Sequence, residues 1–174
     1  MSNYFSSDFE QDEAFMQALE QYEEMKSGKK TGYFDADQLA DFAEYYASAQ
    51  RYDDAFEVID YALSVHPSNT EILVIKAHIL IDQEKIEEAK EIAFSIPESY
   101  DRDVKILKAE LFIQDKNLEE ADKLVNEIVS LDENNDEDNW LDIGYLYFEA
   151  ELMEKALPCS RRTNRRTRAN YTRS

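Results

Sequence analysis

Apolar residues along this chain recur three and four positions apart, the spacing of one face of an α-helix. The sharpest instance is Trp140, Ile143 and Tyr147, with Gly144 beside the stripe where a neighbouring helix can come close, and with a small residue, Ala156, further on. Upstream, Phe15, Leu19 and Tyr22, widened by Ala18 and Met25, predict a helix from Asp8 to Ser27. Asp8, Glu10, Asp12 and Glu13 at its start and Lys26 at its end suit the helix dipole. Gly28 is the expected terminator, and residues 28–33 a loop. Asp35 and Gln38 have the spacing of a capping box ahead of Leu39, Phe42, Ala43 and Tyr46. A break at Gln50-Arg51 separates this helix from one carrying Tyr52, Ala55, Ile59 and Ala62, which Pro67 stops.

The pattern then repeats. Ser68 and Glu71 predict a second capping box before Leu73, Ala77 and Leu80, and Ile86, Ala89, Ala93 and Ile96 mark the partner helix, which Pro97 cuts short. Ala109 and Phe112 continue the series after non-matching Lys105 and Lys108, and Asn117 with Glu120 is expected to cap a helix carrying Leu118, Ala121, Val125 and Ile128 up to Leu131. Ala55 and Ala89 stand 34 residues apart, and Ala89 and Ala121 stand 32 apart, the shorter step following the early Pro97.

These residues resemble the tetratricopeptide repeat family over Asp35 to Ala156. The Trp140 block carries Ile143 where that family usually has Leu, and Leu39 stands in place of the Trp. The chain is similar to bacterial cytoplasmic proteins built from such repeats. The resemblance implies an all-α fold, an α–α superhelix of helical hairpins, with an extra N-terminal helix. The expected divisions are 1–34 for the N-terminal helix and loop and 35–158 for the array, in repeats of about 35–68, 69–101, 102–135 and a partial 136–158. Residues 159–174 form a basic tail without order of its own or foreign to the repeat.

Charge sharpens that last boundary. The net charge is −20, yet six of the eight arginines lie beyond Cys159, where there is no Lys, Asp or Glu. A shifted reading frame and a genuine basic arm both account for so abrupt a change. An apolar edge left uncovered on the fourth repeat predicts self-association. So acidic a body disfavours nucleic acid and anionic membranes as partners, and no apolar run approaches a membrane span, so a cytoplasmic location is expected. One cysteine precludes an internal disulfide framework. Only three Gly and three Pro argue against a β-rich fold.

No enzyme, cofactor or metal signature stands out. His66 precedes a proline at a helix end, His78 reads as a lining residue, and two histidines with one cysteine make no zinc set. Asp132, Asn134 and Asp136 alternate as a calcium loop begins, but Glu137 stands where glycine is required and Ile143 where the closing acid is required. By the resemblance, the first helices of the repeats line a concave groove. Its partner-binding residues would be Val74, His78, Ile81 and Asp82, then Ile106, Glu110 and Ile113, then Leu141, Tyr145, Phe148 and Glu149. The family's clamp for chaperone C-termini requires Lys and Asn where this chain has Ala40 and Glu44, so that adaptor role is not implied. The expected function is a scaffold binding a protein partner through a basic or amphipathic peptide or helix. The alternatives are a structural piece of a longer array with no free groove, and a regulatory or nucleic-acid-associated protein using the arginine-rich tail.

Overall fold

A computed structural model describes residues 13–29, 31–97, 100–131 and 137–159. The carboxylates Asp8 to Asp12, the acid and asparagine run 132–136 and the tail 160–174 lie outside the described residues. The described residues form helices and no strand: α1 Glu13–Lys26, α2 Ala36–Ser48, α3 Tyr52–Val65, α4 Thr70–Asp82, α5 Ile86–Ser95, α6 Arg102–Gln114, α7 Leu118–Leu131, α8 Glu137–Glu149, and α9 at 153–159. They divide between two compact units, Met1–Ile92 and Ala93–Ser174.

In the first unit α2 and α3 form a hairpin, and α4 packs on both. Leu39, Phe42, Ala43 and Tyr46 from α2 meet Ala55, Val58, Ile59 and Ala62 from α3 in one buried cluster. Each large apolar side chain removed from water there contributes about 1.5–3 kcal/mol. The expected stripe of α1 joins this cluster. Leu19 and Tyr22 are buried, the Tyr22 ring lies 5.4 Å from that of Phe42, and Phe15 lies 5.7 Å from Phe42 and 5.5 Å from Tyr45. Burial pushes the Tyr22 hydroxyl up to about 12. At the end of α1, Gly28 takes φ +74°, and Lys29 N–H donates to the Glu24 carbonyl, the closure that only a left-handed residue permits.

The second unit repeats the plan: α6 and α7 pair, and α8 packs on both. Ala109, Ala121, Val125, Ile128, Trp140, Ile143, Tyr147, Ala156 and Cys159 share its core. Cys159 therefore belongs to α9 and to the core, not to the tail in which its sequence neighbours placed it. A Cβ on Gly144 would meet Cys159 Cβ at 3.3 Å, so the missing side chain eases the close approach of α9 to α8, where the thiol is buried. The short second helix expected from Pro97 is present, since α5 has 10 residues against 14 in α3 and α7.

The capping box of Asp35 and Gln38 forms, with both reciprocal hydrogen bonds. The box expected at Ser68 and Glu71 does not. Ser68 sits at φ 62°, outside the extended backbone a cap requires, and the next residue, Asn69, caps α4 by accepting from Ile72 N–H at 3.0 Å. Asn117 accepts from Glu120 N–H only at 3.5 Å.

Among the described residues four links between successive helices share one geometry. Three residues link the helices each time: 49–51, 83–85, 115–117 and 150–152. Within each link one non-glycine residue takes positive φ: Gln50 (58°), Glu84 (60°), Lys116 (60°) and Glu151 (59°). The following amide reaches back five residues to a carbonyl of the first helix, as from Arg51 to Tyr46 and from Leu152 to Tyr147. For an L-residue this conformation costs about 1–2 kcal/mol, part of which glycine's extra freedom in the unfolded chain offsets. Gln50→Gly, Glu84→Gly and Lys116→Gly are each expected to stabilise the protein by about 0.5–1 kcal/mol, whereas Gln50→Val destabilises it. The urea midpoint should move accordingly at unchanged slope. A destabilised glycine variant would show that the side chain holds the turn.

Candidate partner-binding site

The helices sort the groove residues by burial. In the first unit Val74, His78 and Ile81 are buried, His78 with 1% of its surface exposed, and Asp82 is half-buried at the end of α4. In the second unit Ile106 is buried in the core, and Glu110 and Ile113 are half-buried. Only the residues of α8 lie open, with Leu141 at 41% and Tyr145 and Phe148 at 52% each, and Glu149 beside them.

That exposure follows from the composition of α8. Trp140, Ile143, Leu146 and Tyr147 fill the inner face and are buried. Leu141, Tyr145 and Phe148 stand four and three apart away from that face, so the apolar part of the helix is wider than the core alone covers. Here the outer stripe faces water, with Glu149 and Glu151 exposed next to it.

Polar contacts hold α8 in place. The Tyr147 hydroxyl donates to Asp122 Oδ1 on α7 at 2.8 Å, Lys155 of α9 donates to Asp122 Oδ2, and the Lys155 ammonium sits 5.4 Å from the Tyr147 ring centroid. Burial pushes the Tyr147 hydroxyl up, and its bond to Asp122 adds to that. Burial alone would raise the Asp122 carboxyl, but the hydrogen bonds from Lys155 and Tyr147 outweigh it and hold the group below the usual carboxylate range. On the other flank Arg102 of α6 donates to Asn139 and Asp142 of α8, and to Asp103 at 2.6 Å. Burial opposes the charge on Arg102, and Asp142 and Asp103 together overcome that. The heptad-like spacing shows none of these bonds. The only signal for the first was a tyrosine seven residues after each anchor, at Tyr46 and at Tyr147.

Beneath Arg102 a pocket of about 200 Å³ is lined by Tyr100, Lys105, Ile128, Leu131 and Asn139. It is smaller than the usual small-molecule site, and Lys105 is already paired with Glu127. Among the described residues no group of three or more His, Cys, Asp or Glu is placed to hold a metal, and no helix is long and apolar enough to cross a membrane.

Residues 46–111 match the tetratricopeptide repeat family model. Over that stretch the chain is similar to tetratricopeptide repeats. The match spans the hairpin links at Gln50 and Glu84, and the later links repeat their geometry. Of the solved structures, MamA MSR-1 C2 is 17% identical over 92% of this chain and 95% of its own, with a TM-score of 0.52, and shows the fold to be an α–α superhelix. A point mutant of MamA is also 17% identical, over 88% of this chain and 93% of its own, with a TM-score of 0.49. No curated protein matches. A fold of tetratricopeptide repeats supports protein partners and is typically a non-catalytic scaffold.

The Asp122 bonds carry a pH signature. A carboxylate held below its unfolded value of about 3.9 stabilises the fold above that pH and loses its contribution as the pH falls through the lowered value. The side chain is 37% exposed, so solvent screening leaves about 1 kcal/mol. Asp122→Asn should cost that much at neutral pH and lose less stability than wild type as the pH falls below about 4. Parallel acid titrations of the two proteins would contradict the assignment.

Proposed function

We propose that the protein is an interaction scaffold that binds a peptide or helix of a partner protein, with the outer face of α8 as the principal contact in the second unit. The observation that carries this reading is the stripe of Leu141, Tyr145 and Phe148, exposed on a helix whose opposite face is core. Aromatic side chains that lie open on a rigid helix lose little entropy on binding and are the usual anchors of an interface. Glu149 and Glu151 beside the stripe favour a partner with basic residues between its apolar ones, since an anionic segment would meet their repulsion. The acids then speed encounter and select sign, while the rings supply most of the affinity. Val74, His78, Ile81 and Ile106 support the helices from within, and Asp82, Glu110 and Ile113 contribute at most an edge of their surface.

Tyr145→Ala together with Phe148→Ala should remove most captured partners from a pull-down, at a cost of roughly tenfold or more in affinity, while circular dichroism stays helical. An unchanged partner profile from the folded double variant would eliminate this face.

A second reading has its own observation. Met153 and Leu157, four residues apart on α9, are 46% and 53% exposed, which favours stacking against another copy. Sedimentation should then show concentration-dependent association that Leu157→Glu abolishes. A strict monomer at high concentration would dismiss it.

A further inference from the structure

Two features of the second unit fit each other. One is the α8 face, with two exposed aromatic rings and carboxylates one turn away. Tyr145 and Glu149 stand four apart and therefore share a side of the helix. The other is the chain's own residues 160–174, which carry six arginines and no acid.

An exposed aromatic ring beside a carboxylate is a good receptor for a guanidinium, whose flat face stacks on the ring while its edge pairs with the acid. The molecule already pairs a guanidinium with a ring and an acid, there on a buried tyrosine. In the first unit the Arg51 guanidinium carbon lies 4.5 Å from the Tyr46 ring centroid, and the same group pairs with Asp54 at 2.7 Å. A lysine would lack the stacking plane, and the segment 160–174 has none.

Tether length permits the contact. Cys159 packs against Gly144, the residue next to Tyr145, so the segment starts from the middle of α8. Fifteen residues reach at most about 50 Å, against about 20 Å for the length of α8. So short a tether gives an effective concentration of about 1 mM, so a contact of only about 0.1 mM intrinsic affinity would be mostly occupied.

We propose that residues 160–174 dock in cis on the Tyr145, Phe148 and Glu149 face of α8, each ring taking an arginine, and compete there with the partner. This rests on the reading of that face as the binding site. The segment acts as a tethered substitute for a partner of like chemistry and sets a threshold that a partner must exceed.

The test uses the full-length chain and a full-length variant with Arg161, Arg162, Arg165, Arg166, Arg168 and Arg173 each changed to Gln. The probe is a fluorescent peptide of residues 160–174. The neutralised variant should bind it at around 0.1 mM and release it as salt is raised, and wild type should bind it about tenfold more weakly because its own segment holds the face. Adding Tyr145→Ala and Phe148→Ala to the neutralised variant should reduce binding at least tenfold, and a peptide with lysine for every arginine should bind more weakly than the arginine peptide. Equal binding to wild type and neutralised variant, no binding to the neutralised variant, or binding indifferent to loss of the two rings would each overturn the proposal. None of these would touch the scaffold reading, which stands on partner capture by the intact rings. If the rings prove dispensable for both peptide and partners, both readings fall together.

Discussion

Each hairpin of this protein depends on one backbone constraint, a residue forced into the left-handed region halfway along a three-residue link. The amide after it returns to the first helix, which ends that helix and aims the next one back along it. Five residues after the left-handed position comes a small one: Ala55 after Gln50, Ala89 after Glu84, Ala121 after Lys116, Ala156 after Glu151. The first three are fully buried and Ala156 nearly so. The turn fixes where the second helix first touches the first, and alanine is what that distance admits. A helix returning at such close range leaves large side chains room only above and below the contact, which is where Leu39 and Phe42, or Trp140 and Tyr147, are found.

A second contact closes the ends of the two cores. Tyr46 donates to Glu23, and Tyr147 donates to Asp122. Each ring also carries a cation over its face, Arg51 in one case and Lys155 in the other. Asp122 lies on the second helix of the preceding repeat, while Glu23 lies on α1, outside the repeats. By this bond α1 occupies toward α2 the place that α7 occupies toward α8. The extra helix thus follows the array's own packing rule, and its carboxylate and aromatic residues meet the same tyrosine position.

Much of this was legible in the sequence because the apolar stripes obey one period. Phe15, Leu19 and Tyr22 foretold the docking of α1, Gly144 a close helix approach, and Pro97 a shortened α5. What the period could not show were contacts made by side chains off the stripe. Asn69 outcompeted Ser68 as a cap because the backbone at 68 turns left-handed. Cys159 looked like the first residue of a foreign tail, yet it faces Gly144 and completes a core. Among the lining positions, a common register concealed unequal depth. Val74, His78, Ile81 and Ile106 share their places in the repeat with Leu141, Tyr145 and Phe148, but burial depends on neighbours in space, which one sequence does not list.

The contact between Gly144 and Cys159 has one more consequence. The chain has a single thiol, it is buried, and it sits in the last described turn of α9. A reagent can reach it only after that turn lifts from α8. The speed at which the thiol reacts under native conditions is therefore a direct clock for local opening, separate from global unfolding and free of any introduced label. Whatever tightens α9 on α8 slows that clock, and whatever pries it away quickens it.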